Sequence, residues 1–123
     1  MRIIAGVAKG RPIDAVSSST RPTSDRAREA LFSSLVSEFG DFEGLRVLDL
    51  YAGTGAIGLE ALSRGAVLVH CVENNESAVA AINKNYDSIK SAQFSGTFHL
   101  YAMSVHRFLQ DRAAQSYHFI YID

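Results

Sequence analysis

The 123-residue chain has one cysteine, two prolines and no tryptophan. The single Cys71 excludes an internal disulfide and a cysteine-based zinc site, and its apolar neighbours predict a buried, inert thiol. No apolar run approaches the roughly 18 residues that span a bilayer, and residues 3–8 are shorter than a signal-peptide core of about 7–15 residues. The four histidines do not fall at metal-ligand spacing with carboxylates. We therefore expect a cytoplasmic monomer with no membrane segment and no metal.

The chain also has no large excess of positive or negative charge, because twelve basic and thirteen acidic residues leave a net charge of -1. The distribution is nevertheless uneven. Residues 1–28 hold six basic and two acidic side chains, whereas residues 29–123 hold six basic and eleven acidic ones. A basic head on an acidic body predicts contact with phosphate. The alternative is a solvated surface arm.

The pattern of apolar residues predicts an α/β fold. A strand is expected over residues 2–7, and a helix begins at Ser24 or Asp25 and ends at Gly40. The apolar residues of that helix recur at helical spacing: Ala27, Ala30, Leu31, Leu35 and Phe39. Four strands (47–50, 67–72, 97–101 and 119–122) then alternate with helices over 59–63, 77–89 and 105–109. This alternation is typical of a parallel sheet with helices on both faces, whose ligands bind beyond the carboxyl ends of the strands. The predicted organisation is one domain, with a basic segment and helix over residues 1–40 and a core over residues 41–123.

A glycine-rich turn follows the first of these four strands. Gly53, Gly55 and Gly58 match the spacing G-x-G-x-x-G, and Glu73 ends the next strand. Glycines permit a tight turn close to a ligand, and a carboxylate at the end of the second strand can accept hydrogen bonds from two ribose hydroxyls. The pattern alone predicts a nucleoside-type cofactor and is compatible with NAD.

Longer motifs narrow this choice. Asp49 at the strand end, followed by Ala-Gly-Thr-Gly over residues 52–55, resembles motif I of class I S-adenosylmethionine methyltransferases. Residues 1–6, 9–11, 21–32 and 49–66 resemble the bacterial 16S ribosomal RNA guanine-N2 methyltransferase family. The resemblance implies a Rossmann-like sheet, S-adenosylmethionine as cofactor, and 16S ribosomal RNA or the small ribosomal subunit as partner. It also implies methyl transfer to the exocyclic N2 of a guanine.

The resemblance also implies roles for individual residues. The cofactor-binding candidates are Thr23, Asp49, Tyr51, Gly53, Gly55, Glu73, Asn74 and Ser104. The candidates for RNA phosphate contacts are Arg11, Arg21, Arg26 and Arg28, and Asp123 is the candidate catalytic acceptor of the target amine. Two alternatives remain within this set. Tyr51 either contacts the cofactor or simply caps its strand, and one of Arg26 and Arg28 binds phosphate while the other pairs with a local carboxylate such as Asp25 or Glu29.

Two departures from the family pattern bear on activity. The family continues its fourth strand with Asp or Asn, Pro, Pro and an aromatic residue, whereas this chain has only Asp123. Ser104 stands where the family usually has Asp or Asn for the adenine amino group. We therefore expect a truncated chain that lacks the C-terminal strands and transfers methyl groups poorly. The alternatives are another amino-directed DNA or protein methyltransferase, and an inactive fragment that binds RNA or cofactor.

Overall fold

The computed structural model describes residues 1–15, 24–111 and 116–122, and within them a parallel sheet forms the centre of the fold. Its strands are β1 (Arg46–Leu50), β2 (Leu68–Glu73), β3 (Thr97–Ala102) and β4 (Phe119–Ile122), in the order β3-β2-β1-β4. Every neighbouring pair is parallel. The helices are α1 (Asp25–Phe39), α2 (Ala56–Ser63), α3 (Glu76–Ile89) and α4 (Val105–Asp111), with a 3-10 turn at Lys90–Ala92. The predicted α/β class and its parallel sheet are confirmed.

Helices cover both faces of the sheet because side chains alternate along each strand. On one face, Leu48, Leu50 and Val72 form a buried cluster with Val105 and Phe108 of α4. The strand residues between them point to the opposite face, where α2 packs so closely that all eight of its residues are buried. The central strands β1 and β2 are buried on both faces, which explains their continuous apolar runs, whereas β3 and β4 at the edges of the sheet are partly exposed.

Helix α1 begins and ends where the sequence predicts. The Ser24 hydroxyl accepts a hydrogen bond from the Ala27 amide at 3.1 Å, and Gly40 follows the last turn with a φ of 78°. The predicted apolar face is wrong in part, however. The fully buried residues of α1 are Arg28 and Phe32, whereas Ala27 and Ala30 are exposed. The arginine can be buried because acidic partners surround it, which an apolar pattern does not show.

Residues 1–13 do not form the predicted strand. They fold back on themselves as an irregular hairpin, which we call the N-terminal hairpin, with one isolated antiparallel bridge between Arg2 and Pro12. The Ile3 amide donates to the Arg11 carbonyl at 2.9 Å, and the Gly10 amide donates to the Ile3 carbonyl at 2.8 Å. Ile3, Ala8 and Ile13 belong to the same buried cluster as Leu59 and Leu62 of α2. The hairpin is therefore packed against α2 instead of extending the sheet.

Candidate active site

The carboxyl ends of β1 and β2 lie side by side at one edge of the sheet. Leu50 ends β1 and is paired with Val72, one residue before Glu73 ends β2. On its other side β1 pairs with β4, so the direction in which strands are added reverses between β1 and β4. Ligands of open α/β sheets bind at such a switch point. The loop after β1, residues 51–55, lies at this edge and is called the cofactor loop below.

The cofactor loop has an unusual backbone. Tyr51, Gly53 and Gly55 have φ values of 57°, 60° and 80°, in the left-handed region that favours glycine. The Ala52 amide donates to the Val72 carbonyl at 3.1 Å, which ties the loop to β2. Tyr51 lies outside β1 and its side chain is 56% exposed at the sheet edge. It is positioned to meet a ligand, and its contact with the cofactor stays a prediction.

Glu73 connects the cofactor loop with the start of α3. Its Oε1 accepts a hydrogen bond from the Gly53 amide at 2.8 Å, and its Oε2 accepts one from the Asn75 amide at 3.0 Å. The side chain remains partly exposed. Because a carboxylate has about four acceptor positions, these two bonds orient the group and leave acceptor capacity for a ligand's hydroxyls. This geometry suits the predicted ribose contact.

Asp49 is placed differently, since its side chain is only 1% exposed and lies beneath the loop. Its Oδ2 accepts a hydrogen bond from the Gly58 amide at 3.2 Å, in the first turn of α2. A negative charge there is favoured by the helix dipole. Asp49 can therefore act on a cofactor indirectly, by holding the start of α2, which directly follows the cofactor loop.

Cys71 lies next to Asp49, with its Sγ 4.0 Å from Oδ2. Burial raises the pKa of this thiol well above its usual value, and the charges of Asp49 and Glu73 raise that pKa further. The predicted buried thiol is confirmed, because Cys71 is fully buried. A Cβ on Gly58 would come within 2.7 Å of the Cys71 Sγ, so only glycine lets α2 approach the sheet this closely.

The two remaining cofactor candidates that the structure describes flank the same edge. Asn74 is exposed directly after β2. Ser104 is two residues beyond the end of β3, and its hydroxyl oxygen accepts the Arg107 amide at 3.1 Å in the first turn of α4. That bond leaves the serine O–H able to donate elsewhere. The structure thus brings Asp49, Tyr51, Gly53, Gly55, Glu73, Asn74 and Ser104 to one edge of the sheet, while their contacts with a cofactor remain predictions.

The predicted RNA-contacting arginines separate into different environments. The Arg28 side chain is fully buried, with Nη2 3.2 Å from Asp25 Oδ1 and Nε 3.5 Å from Glu60 Oε1, so its assignment to RNA is corrected. The predicted alternative, in which one arginine of the pair meets a local carboxylate, is confirmed for Arg28 and Asp25. Arg26 is exposed. Arg11 is partly exposed and donates from Nη1 to the Ser91 hydroxyl at 3.2 Å. Thr23, Arg21 and Asp123 lie outside the described residues.

Two buried polar residues near the site were missed in the sequence. Asn85 is 2% exposed and donates from Nδ2 to the Thr54 carbonyl of the cofactor loop at 3.0 Å. Glu60 is fully buried in the middle of α2. Both residues can nevertheless be recognised in the sequence by their positions. Asn85 falls in register with the apolar face of α3, and Glu60 is the one charged residue within an otherwise apolar helix.

Within the described ranges, no helix is long and apolar enough to cross a membrane. In the same part of the chain, no group of three or more His, Cys, Asp or Glu residues is arranged to hold a metal ion.

Comparison with known proteins places the chain in a family. The family described as "Conserved hypothetical protein 95" matches residues 1–123, which is the whole chain. The chain belongs to this family. Among solved structures, a hypothetical protein of Thermus thermophilus is 32% identical with a TM-score of 0.77, over 90% of this chain and 60% of that one.

Curated relatives of this chain carry a functional name. The ribosomal RNA small subunit methyltransferase D of Escherichia coli (strain K12) is 39% identical over 92 residues, which cover 74% of this chain and 45% of the relative. The enzyme of the same name from Haemophilus influenzae is 38% identical over 91 residues, covering 73% of this chain and 46% of the relative. The chain therefore spans about half the length of the curated relatives that it matches.

Proposed function

We propose that this chain binds S-adenosylmethionine and takes part in methyl transfer to the exocyclic N2 of a guanine in 16S ribosomal RNA. The observation that carries the proposal is the carboxylate of Glu73, which is oriented by the Gly53 and Asn75 amides and still has acceptor capacity. The two relatives named ribosomal RNA small subunit methyltransferase D support the reaction class and the kind of acceptor.

The chain's own residues divide the work of cofactor binding. Glu73 accepts from the ribose hydroxyls, while Asn74 and Ser104 flank the adenine. Asp49 holds the start of α2, Gly53 and Gly55 shape the cofactor loop, and Tyr51 contacts the cofactor. Thr23 is assigned to the methionine end by the family pattern. When bound, S-adenosylmethionine supplies an electrophilic methyl group on a positively charged sulfur. Glycines at the loop leave the backbone open to a ligand because they have no side chain to intervene.

The acceptor nitrogen needs a partner that aims it. Asp123 is proposed to accept a hydrogen bond from the guanine amino group, which directs the nitrogen towards the methyl group. Such positioning can contribute a large share of the rate, and a misplacement of about 1 Å can cost about a hundredfold.

Phosphate binding is assigned to the exposed basic residues of the first 28 positions. Arg26 is exposed on α1, Arg11 is partly exposed at the hairpin, and Arg21 completes the proposed set. Each phosphate contact steepens the dependence of log affinity on log salt by about 0.7 to 0.9. Replacing Arg11 and Arg26 together by alanine is expected to flatten that slope by roughly one to two units for small-subunit RNA. An unchanged slope would identify the basic residues as a solvated arm.

Calorimetry tests the cofactor. We expect saturable binding of S-adenosylmethionine to the 123-residue chain and no saturable binding of NAD. A tighter isotherm with NAD would overturn the methyltransferase proposal. Because the chain spans about half of its relatives, methyl transfer is measured with a chimera in which residues 1–123 replace the matching part of the Escherichia coli relative.

The acceptor is tested with that chimera and with the 123-residue chain side by side. Tritiated methyl incorporation is compared for under-methylated small subunits, naked 16S RNA, DNA and protein. We expect incorporation by the chimera into small subunits or their RNA. Preferential labelling of DNA or protein would replace the proposed substrate. Binding of cofactor and RNA without turnover by either protein would leave a binding function only.

A further inference from the structure

We propose that Asn85 is a positioning residue that couples cofactor binding to RNA binding, by holding the cofactor loop and the N-terminal segment in one register. The inference rests on the proposed function, since it deepens the regulation of that same site. The buried side-chain amide of Asn85, on α3, joins Asp14 and Thr54, which are far apart in the sequence.

All the hydrogen-bonding groups of the Asn85 side chain are used on backbone atoms. Its Oδ1 accepts from the Asp14 amide at 2.8 Å. Its Nδ2 donates to the Asp14 carbonyl and to the Thr54 carbonyl, each at 3.0 Å. An amide has two donor hydrogens and one acceptor oxygen, so every group has a partner. The side chain therefore links Asp14, which directly follows the N-terminal hairpin, to the cofactor loop.

The cofactor loop is also in direct contact with α3. A Cβ built on Gly55 would lie 3.2 Å from Cγ1 of Ile82, which is one turn before Asn85. Ile82 and Asn85 therefore contact the loop from one side, and Asp14 is joined to it through Asn85. Because packed interiors do not deform smoothly, a shift of the loop on ligand binding is passed to these contacts.

The segment that Asn85 holds is fixed at its other end as well. Glu60 accepts the Ile4 and Ala5 amides at 2.9 and 3.1 Å, and the Ser63 hydroxyl accepts the Ala8 amide at 3.0 Å. Glu60 and Ser63 belong to α2, which directly follows the cofactor loop. The hairpin is thus anchored to α2 at one end and to α3 through Asn85 at the other, with Arg11 between the two anchors.

The other buried residues of α3 are apolar. Ala78, Ile82 and Ile89 share the buried face of α3 with Asn85. A buried amide costs free energy unless its bonds are made, so its presence serves the connection and not the packing. The consequence is specific: a cofactor that fixes the loop should also fix Asp14 and the hairpin before it, so that RNA binds a prepared surface.

The experiment measures this coupling in the 123-residue chain. Binding of a small-subunit RNA fragment is measured without and with saturating S-adenosylhomocysteine, which cannot transfer a methyl group. The ratio of the two affinities is the coupling factor, and typical allosteric factors are about 5 to 150. For the parent chain we expect RNA affinity to rise about fivefold or more.

Asn85→Asp keeps the shape of the side chain but turns its donor nitrogen into an acceptor, which faces the Thr54 and Asp14 carbonyls. We expect the coupling factor to fall to within about twofold of one. Asn83→Asp is the matched control, because it makes the same chemical change on the exposed side of α3. That control reports the effect of one added negative charge on RNA affinity and should keep the parent's coupling factor.

A second pair of variants avoids changing the buried position. Asp14→Pro removes the amide that Asn85 accepts, whereas Asp14→Ala keeps the backbone bonds and removes only the ion pair with Lys84. We expect loss of coupling in the first and its retention in the second. If Asn85→Asp does not fold, this pair decides the question.

Hydrogen exchange shows whether the bridge was broken. Coupling that persists in Asn85→Asp or Asp14→Pro, while amides near Asp14 exchange faster, would overturn the proposal. A parent chain that binds both ligands without coupling would also overturn it and leave the proposed function standing. A parent chain that binds neither ligand would overturn both.

Discussion

The two halves of α2 use the same chemistry for opposite purposes. At its start, Glu73 and Asp49 accept hydrogen bonds from amides of the cofactor loop and of α2's first turn. In its second half, Glu60 accepts amides of the N-terminal hairpin. Glu73 is partly exposed and keeps spare acceptors, whereas Glu60 is fully buried. Exposure, and not residue type, separates a carboxylate that can receive a ligand from one that holds the chain together.

The partners of Glu60 explain how a buried carboxylate is tolerated. Beside the two backbone amides, the Arg64 Nε donates to Oε2 at 2.8 Å, and the Arg28 Nε lies 3.5 Å from Oε1. Arg28 further donates to the Arg2 carbonyl of the hairpin. The charges therefore compensate one another inside the fold. Removing one partner destabilises the fold by more than the intact pair stabilises it, because an uncompensated charge remains buried.

The largest expected effect comes from removing the buried carboxylate of Glu60. Glu60→Ala should lower the free energy of unfolding by about 3–5 kcal/mol, since it removes the fully buried one of the two carboxylates that pair with the buried Arg28. Denaturant unfolding measures the loss. Glu38→Ala, an exposed acid on α1, is the control and should change stability by less than about 0.5 kcal/mol. A loss in Glu60→Ala as small as that in Glu38→Ala would show that the buried carboxylate does not hold the hairpin to α2.

The next prediction concerns how closely α2 approaches the sheet. Gly58→Ala places a Cβ within 2.7 Å of the Cys71 Sγ and 3.0 Å of Val69 Cγ1. We expect a loss of about 1–3 kcal/mol through overpacking. Gly53→Ala has open space around its Cβ and strains only the backbone, so it should cost roughly 1–2 kcal/mol. Thermal or denaturant unfolding of both variants would show whether packing or backbone conformation governs this end.

Glu73→Ala tests the exposed carboxylate. Charge-assisted hydrogen bonds contribute roughly 1.5–3 kcal/mol, so S-adenosylmethionine binding should weaken by about tenfold to a hundredfold. Stability should change far less than in Glu60→Ala, because the lost group is partly exposed. Calorimetry and denaturation of the same protein provide both numbers. Unchanged cofactor affinity in a folded variant would exclude Glu73 from the site.

The smallest expected effect lies at the surface, where Lys84 Nζ is 2.7 Å from Asp14 Oδ2. The hydrogen bond from Lys84, and then its charge, lower the pKa of Asp14. The same contacts raise the pKa of Lys84. The contribution of Asp14 is present above its unfolded pKa and is lost as pH falls through its lowered folded pKa. That of Lys84 is present below its unfolded pKa and is lost as pH rises through its raised folded pKa.

Both groups of this pair are exposed, so salt should screen the interaction. We expect the stability of Asp14→Ala to differ little from that of the parent near neutral pH, with any difference disappearing in strong acid and at high ionic strength. Unfolding measured across pH and salt checks this. A large difference that survives high salt would show that the Asp14 side chain does more than meet Lys84.

The sequence by itself determined the order and type of the sheet's elements. The strands β1 and β2, which are buried on both faces, are apolar runs in the sequence, and Ser24 and Gly40 mark the ends of α1 because caps depend on local chemistry. The glycine loop and Glu73 were also predictable, since a strand, a tight turn and a following acid are close enough in the chain to form one pattern.

Only the tertiary structure decided where the polar side chains of the helices point. Arg28 carried the same charge as Arg26 in the sequence, yet Arg28 is buried against Glu60 and Arg26 meets solvent. Asn85 joined Asp14 and Thr54 although these lie 71 and 31 residues away. A charge or amide is stable inside a protein only when partners surround it, and those partners come from distant parts of the chain. For that reason the local sequence pattern predicts the cofactor loop, whereas only the folded structure shows which residues hold the N-terminal hairpin beside it.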